Sequence, residues 1–173
     1  MQLQRLCVFF LSLAASCVAF ALPRADFSPT LLPLVDQVVV IKSERKLYLK
    51  RGGEALRTYT VAFGPVPWGH KEREGDERTP EGRYTLDFKN ADSRYYKSIR
   101  ISYPNREDRA RARELGVDPG GNIMIHGQPA DAEWEAETAQ LFNWTNGCIA
   151  VSNEAMDEIW QAVPLGTPIE ILP

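Results

Sequence analysis

Short apolar runs, either alternating with polar residues or rich in β-branched side chains, dominate the chain after residue 37 and predict β-strands. Runs of four to seven residues with this pattern are typical of strands, and a Gly-Gly pair at 52–53 separates two of them as in a hairpin or meander. The predicted strands are Val38–Ile41, Lys46–Lys50, Thr58–Phe63, Gly82–Phe88, Ile99–Tyr103, Asn122–His126 and Pro168–Leu172.

Helical patterns are fewer. Glu107–Leu115 is highly charged and lacks Gly and Pro, and Ala132–Phe142 has a helix-forming composition. Ser152 is a suitable N-cap for a third helix, Asn153–Val163, which carries an apolar stripe on one face. We therefore expect one mainly β domain, a β-sandwich or partly closed barrel of mixed strands, with about three short helices at its margins.

A long segment between two predicted strands, Gly64–Gly82, is rich in Gly, Pro and charge. Connections of this length in compact domains are often functional or mobile. Asp76–Gly82 is a well-marked turn before the next strand. His70 lies in this segment beside Lys71, and we expect it to be a solvated loop residue.

Length and charge limit the classes of function. The chain has 173 residues, of which 44% are hydrophobic and 25% charged, which suits one soluble domain with a substantial core. The formal net charge of −3 lacks the basic excess of nucleic-acid-binding proteins. We expect no nucleic-acid partner and a monomeric protein.

The N-terminus is typical of a targeting segment. Arg5 precedes an uncharged apolar stretch, Leu6–Ala21, which ends in the small-x-small sequence of a signal-peptidase site. We predict a signal peptide (1–21), a leader (22–36) and a domain (37–173), in a protein exported to the periplasm. A membrane anchor is the alternative, although the apolar run is short of about 20 residues. Lipid attachment at Cys17 is a further one.

Export changes the number of cysteines. Cys7 and Cys17 would leave with the signal peptide, so that Cys148 would remain alone. Exported proteins normally pair their cysteines or lack them. A single remaining cysteine indicates a reactive thiol or an intermolecular disulfide, while a buried structural cysteine is the simpler alternative.

A cysteine nucleophile needs a base and hydrogen-bond donors for the oxyanion. The chain has two histidines, and one of them, His126, ends a predicted strand. Gly147 allows a sharp turn that points the backbone N–H groups of Asn146, Gly147 and Cys148 outward as an oxyanion hole. One cysteine and two distant histidines do not form a zinc site, so we expect no metal and no other cofactor.

The sequence around this pair reads Ile125-His126-Gly127 and Thr145-Asn146-Gly147-Cys148-Ile149. With these motifs the chain resembles the catalytic domain of the L,D-transpeptidase (YkuD) family over residues 36–173. The family pattern is His-Gly on a strand and, after a spacer, Ser or Thr, one residue, and Gly-Cys. Three departures are Asn146, where the family commonly has His, Ala150, where it often has Arg, and a slightly long spacer of 18 residues. The matching motifs are Ile125-His126-Gly127, Thr145-Asn146-Gly147-Cys148-Ile149, Gly75-Asp76, Thr79-Pro80-Glu81-Gly82 with Tyr84, and Ile101-Ser102-Tyr103-Pro104.

The resemblance implies a cysteine acyltransferase acting on peptidoglycan stem peptides. Cys148 would attack the carbonyl of the diamino third residue of a tetrapeptide, and His126 would take the thiol proton. The carbonyl of Gly127 would hold the imidazole in the required tautomer. The remaining assignments are Asn146 and Gly147 as oxyanion donors, Thr145 as an orienting residue, and Tyr103 and Trp144 as substrate-binding residues of the peptide groove.

Three functions remain open at this stage. The thioester could be resolved by an amine of another stem peptide or by a lysine of a wall-anchored lipoprotein, giving a transpeptidase. Water as the acceptor would give a peptidoglycan hydrolase with the same Cys148 and His126 site. The third reading is a non-catalytic wall-binding module in which Cys148 is structural.

Overall fold

The computed structural model describes residues 32–129 and 138–173, which form one mainly β domain with eight strands and two short helices. The predicted fold class is thereby confirmed. The predicted signal peptide and most of the leader lie outside the described residues. The elements are β1 (Gln37–Ile41), β2 (Lys46–Arg51), β3 (Glu54–Thr60), β4 (Gly82–Ser93), β5 (Tyr96–Ile101), α1 (Arg106–Leu115), β6 (Met124–His126), β7 (Ile149–Ala150), α2 (Asn153–Ala162) and β8 (Pro168–Leu172).

The eight strands form one mixed sheet in the order β3-β2-β1-β8-β4-β5-β6-β7. β1 pairs with β8 and β6 pairs with β7 in parallel, whereas the other pairs are antiparallel. The strands do not close into a barrel. One bridge links the two edges, because Ala62, just beyond β3, exchanges two backbone hydrogen bonds of 2.9 Å with Ala150 of β7.

The core lies on the face of the sheet that α2 covers. Met156 and Ile159 of α2 are fully buried and pack into the same cluster as the strand residues. Each buried aliphatic side chain contributes about 1.5–3 kcal/mol. The alternating patterns of β2 and β8 are explained by one face of each strand lying in this core. The strand residues of the cluster include Val38, Val40, Leu47, Leu49, Leu86, Ile99, Ile101, Ile125, Ile149, Ile169 and Ile171.

Both described helices begin at side-chain caps. The Asn105 side chain accepts hydrogen bonds from the N–H groups of Glu107 and Asp108, and the Asp108 carboxylate accepts one from the Asn105 N–H. Ser152 accepts from the Ala155 N–H, so the predicted cap of α2 is confirmed. Among the described residues, none of the helices is both long and apolar enough to cross a membrane.

The third predicted helix, Ala132–Phe142, is not found where it can be checked. Residues 132–137 lie outside the described part of the chain, and residues 138–142 form turns and a bend. The prediction was therefore wrong for the second half of this segment, where composition alone had favoured a helix.

Several strand boundaries also differ from the sequence prediction. β3 was predicted at Thr58–Phe63 but extends from Glu54 to Thr60. It is an edge strand whose residues are mostly exposed, whereas residues 61–63 leave the strand and are buried in the core. β4 and β5 extend toward each other beyond Phe88 and Ile99 as a bulged antiparallel pair. β6 begins only at Met124, since Asn122 has a left-handed backbone with φ of 55°. β7, of two residues, was not predicted.

Candidate active site

The nucleophile candidate Cys148 ends a tight turn that begins at Thr145. The Thr145 hydroxyl donates to the Cys148 carbonyl at 2.8 Å and accepts a longer hydrogen bond, 3.3 Å, from the Gly147 N–H. Gly147 has φ of +108°, and a Cβ there would lie 2.5 Å from the Arg78 carbonyl oxygen. Glycine is therefore required before Cys148 for both conformation and space.

Neighbouring segments hold this turn on two sides. The Thr79 hydroxyl donates to the Gly147 carbonyl at 2.9 Å. On the other side, the N–H groups of Trp144 and Thr145 both donate to the Phe63 carbonyl, at 2.8 and 3.0 Å. The turn that carries the cysteine is thus held by hydrogen bonds from the Thr79 and Thr145 hydroxyls and to the Phe63 carbonyl.

The thiol of Cys148 reaches a cavity of about 480 Å³. The residue is half-buried, and its Sγ lies 3.6 Å from the Asn122 carbonyl oxygen. Asn146 is exposed on the same wall. The cavity is lined by Lys71, Glu74, Gly75, Glu77, Gly120, Gly121, Asn122, Ile123, Asn146 and Cys148.

The parallel pairing of β6 with β7 places the chain segments that carry His126 and Cys148 side by side. His126, the last residue of β6, pairs with Ala150, and Cys148 directly precedes β7. Two segments whose key residues are 22 positions apart in the sequence therefore meet at this edge of the sheet.

The His126 ring is 2% exposed, and the structure defines its tautomer. Nδ1 lies 2.6 Å from the Gly127 carbonyl oxygen. A carbonyl only accepts, so Nδ1 carries the proton and Nε2 is the ring's acceptor. The ring packs against Tyr95 and Trp144, with centroids 4.6 and 5.6 Å away.

Both members of the pair are neutral at rest. Burial lowers the pKa of His126 to about 4, with the Gly127 hydrogen bond acting in the opposite direction. Burial also raises the pKa of the Cys148 thiol, against the effects of a Met124 backbone hydrogen bond and of the Lys71 charge. Such a pair suits general-base activation at the moment of attack, because the imidazole is available as an acceptor at neutral pH.

The backbone after His126 is fixed by a close approach to α2. A Cβ on Gly127 would lie 2.4 Å from Asn153 Oδ1 and 3.0 Å from Tyr96 Cβ. The same Asn153 oxygen accepts the Gln128 N–H at 2.8 Å. Gly127 thus has two functions: its carbonyl orients the imidazole, and its lack of a side chain admits the start of α2.

The predicted oxyanion donors are not equivalent. The Gly147 N–H is directed at the Thr145 hydroxyl, so it is already engaged. Among the hydrogen bonds of residues 32–129 and 138–173, none uses the N–H of Asn146 or of Cys148. The available donors are therefore Asn146 and Cys148, and Gly147 contributes its conformation instead.

The two aromatic residues predicted to line the groove lie elsewhere. Tyr103 is 5% exposed, and its hydroxyl donates to the Pro119 carbonyl at 3.0 Å beneath the loop. The Trp144 indole donates to the Ala139 carbonyl at 3.0 Å and packs on the His126 ring. Neither lines the cavity beside Cys148. In this structure Tyr103 packs under the loop and Trp144 packs against the His126 ring.

Sequence reasoning missed the interactions that hold the segment between β3 and β4. His70 is partly buried and not solvated: its Nδ1 accepts the Glu81 N–H at 3.0 Å, and its Nε2 lies 3.1 Å from Asp108 Oδ1. Lys71 is buried with its Nζ 2.8 Å from Asp76 Oδ1. Lysine, histidine and aspartate in a Gly/Pro-rich segment usually indicate a solvated loop, so no simple signal was available for this network.

The described residues form a mainly β domain in which the segments carrying Cys148 and His126 are adjacent, with Cys148 on the wall of an open cavity. Residues 36–171 match the family model described as L,D-transpeptidase catalytic domain (YkuD). The chain therefore belongs to the L,D-transpeptidase catalytic-domain family.

Two bacterial relatives with provisional L,D-transpeptidase names are similar in sequence. YafK of Escherichia coli (strain K12) is 32% identical over 163 residues, which cover 91% of this chain and 58% of YafK. YqjB of Bacillus subtilis (strain 168) is 28% identical over 144 residues, 81% of this chain and 73% of YqjB. The chain thus spans little more than half the length of YafK.

Solved structures show the same fold. The helical cell shape determining protein Pgp2 from Campylobacter jejuni aligns with a TM-score of 0.61 and 26% identity, covering 78% of this chain and 46% of Pgp2. An L,D-transpeptidase from Mycobacterium smegmatis aligns with a TM-score of 0.52 and 16% identity, covering 79% of this chain and 58% of that one. The second likeness concerns the fold alone.

Proposed function

We propose that this protein is an exported cysteine L,D-transpeptidase that acts on peptidoglycan stem peptides through a thioester on Cys148. The observation that carries the proposal is the placement of this thiol on the wall of an open cavity, directly before the strand that pairs with the strand ending in His126. The neutral His126 ring presents Nε2 as its acceptor.

In the first half-reaction, His126 Nε2 accepts the thiol proton while the sulfur attacks the carbonyl carbon of the diamino third residue. The N–H groups of Asn146 and Cys148 stabilise the resulting oxyanion. The bond to the terminal D-alanine nitrogen then breaks, and the imidazolium returns its proton to that nitrogen. Free D-alanine leaves, and the acyl group stays on Cys148.

In the second half-reaction, an amine attacks the thioester carbonyl and its proton passes to His126. The carbon–sulfur bond breaks, and the proton returns to the sulfur. An amine from another stem peptide produces a cross-link, and a lysine of a wall-anchored lipoprotein produces an anchored protein. Water in the same position would produce a free tripeptide, which is the hydrolase alternative.

The direct test is incubation of the purified protein with tetrapeptide muropeptides, followed by mass spectrometry of the products. We expect release of D-alanine together with new cross-linked dimers, and a covalent carbapenem adduct on Cys148. Cys148→Ala should abolish both, while Cys17→Ala should change neither. Tripeptides without dimers would identify a hydrolase, and neither D-alanine release nor adduct would contradict an enzymatic role for Cys148.

Export is a separate part of the proposal and has its own test. The apolar stretch Leu6–Ala21 motivates it. Mass spectrometry of the protein from the periplasmic fraction should show an N-terminus at Leu22. Recovery of the uncleaved chain from the cytoplasmic fraction alone would contradict export but not the chemistry of Cys148.

A further inference from the structure

Two buried lysines differ in their hydrogen bonding: Lys42, which follows β1, and Lys71, which lies in the segment between β3 and β4. Lys42 and Lys71 are each 3% exposed. Lys42 Nζ has three acceptors: the carbonyls of Gly69 and Thr79 and the carboxylate of Glu81. An ammonium has three N–H donors, so Lys42 is fully satisfied.

Among the described residues, Lys71 uses two of its three N–H donors. Its Nζ donates to the Arg73 carbonyl at 2.9 Å and to Asp76 Oδ1 at 2.8 Å. Within residues 32–129 and 138–173, no acceptor serves its third N–H. Lys71 lines the cavity that Cys148 also lines, whereas Lys42 does not.

The Lys71 ammonium is also fixed in place. The Asp76 carboxylate that binds it accepts hydrogen bonds from the N–H groups of Glu72, Arg73 and Arg78 at 2.8–3.2 Å. A buried ion pair is weak evidence for stability, since a well-packed apolar residue is often as stable. A rigidly held cation that lines the same cavity as a candidate nucleophile therefore points to a functional role.

We propose that Lys71 is a positioning residue whose fixed ammonium stabilises the negative charge that forms on the Cys148 sulfur during catalysis. The inference rests on the proposed function, in which a neutral thiol and a neutral imidazole exchange a proton. The charge appears on a half-buried residue at the protein surface, where a nearby cation acts more strongly than it would in bulk solution.

Three charged groups line the same cavity as the thiol, and a titratable one, His126, ends the neighbouring strand β6. The charged groups are Lys71, Glu74 and Glu77 from the segment between β3 and β4. The glutamates would disfavour a thiolate, but Glu74 is exposed and Glu77 half-exposed, so solvent and salt screen them. Lys71 is buried, and its charge lowers the pKa of the thiol against the larger, opposite effect of burial.

The test is the pH dependence of iodoacetamide alkylation at Cys148, followed by peptide mass spectrometry so that Cys7 and Cys17 do not contribute. We expect Lys71→Met to raise the thiol pKa by about one unit, which makes alkylation below the pKa about ten-fold slower. Lys71→Arg keeps the charge and should stay near the wild-type value. Lys42→Met is the matched control: it also breaks a buried ion pair but should leave the thiol pKa unchanged.

Asp76→Asn distinguishes electrostatics from loop disruption, and it remains informative if Lys71→Met does not fold. Asparagine keeps a side-chain oxygen that can accept from the Lys71 ammonium but removes the negative charge beside it, so the thiol pKa should stay at or below the wild-type value. A rise with Asp76→Asn, an unchanged pKa with Lys71→Met, or an equal rise with Lys42→Met would overturn the proposal. Alkylation needs no peptidoglycan, so this outcome is independent of whether the transpeptidase function holds.

Discussion

The regions around the two histidines use the same side chain in opposite ways. In the segment between β3 and β4, His70 Nδ1 accepts the Glu81 N–H, and its Nε2 lies 3.1 Å from Asp108 Oδ1. At the end of β6, His126 uses Nδ1 on its neighbouring carbonyl, and within residues 32–129 and 138–173 no carboxylate forms an ion pair with it. Its surroundings are the aromatic rings of Tyr95 and Trp144.

The difference shows what distinguishes a general base from a structural histidine. A ring placed between a backbone N–H and a carboxylate ties two segments together. A ring that is oriented by one carbonyl and buried among aromatic side chains stays neutral and keeps Nε2 as an acceptor. The four predictions below test this contrast.

The largest effect is expected from exchanging each histidine for asparagine. His126→Asn should lower kcat/KM for a tetrapeptide donor by about 10²–10⁴-fold, because general-base catalysis is lost. His70→Asn should lower the free energy of unfolding by about 1–3 kcal/mol, because buried partners lose their hydrogen bonds. The folded fraction of His70→Asn should keep its kcat/KM. An equal loss of activity in both variants would contradict the assignment of His126 as a general base and His70 as a structural histidine.

The next effect is expected at the glycine before the nucleophile. Gly147→Ala would place a Cβ 2.5 Å from the Arg78 carbonyl at φ of +108°, so the turn must shift and carry Cys148 with it. Activity should fall sharply, with a loss of unfolding free energy of about 1–3 kcal/mol. Gly166→Ala is the matched control, with φ of +90° and open space around it. It should cost some stability but leave kcat/KM unchanged.

The third effect is a pH dependence of stability that belongs to His126. The pKa of His126 is lowered to about 4 from an ordinary value near 6.5. As the pH falls through this window the unfolded chain binds a proton that the folded protein does not, so stability falls by up to about 3 kcal/mol. The free energy of unfolding, measured with urea from pH 7.5 to 4.5, should fall with pH in the wild type. This fall should be absent in His126→Asn. The same pH dependence of the unfolding free energy in the wild type and in His126→Asn would mean that groups other than His126 cause it.

The smallest effects are expected from single hydroxyl groups in each region. Thr145→Val removes the hydroxyl that joins the ends of the Cys148 turn, and Tyr84→Phe removes the one that donates to Asp108 at 3.0 Å. Each should lower the free energy of unfolding by about 1 kcal/mol. Thr145→Val should also lower kcat several-fold, whereas Tyr84→Phe should leave it unchanged. A several-fold loss of kcat in Tyr84→Phe but not in Thr145→Val would indicate that the region around His70 controls activity.

The fold was predictable wherever local pattern and tertiary environment agree. β8 was predicted at its observed bounds, Pro168–Leu172, because one face of it is buried and the pattern alternates. β3 was misplaced because an exposed edge strand has no hydrophobic alternation to detect. β7 was missed because two residues carry no period, and its existence depends on pairing with β6 and on the bridge to Ala62.

The pair at the site was also accessible from sequence, because a Gly-Cys turn and a strand-ending His-Gly are local signals. The supporting residues were not. Tyr103 and Trp144 were expected in the groove, but their orientation depends on the Pro119 and Ala139 carbonyls, which are contacts between segments. Lys71 gave no signal, since its burial depends on how residues 64–81 fold over the cavity.

The most direct test of the central claim is peptide mapping of the protein quenched during turnover of a tetrapeptide donor. Cys148 should carry the tripeptide acyl group as a thioester, in the wild type within milliseconds to seconds and in His126→Asn only much more slowly. D-Alanine release that persists in Cys148→Ala, or an acyl group found on another residue, would contradict the account.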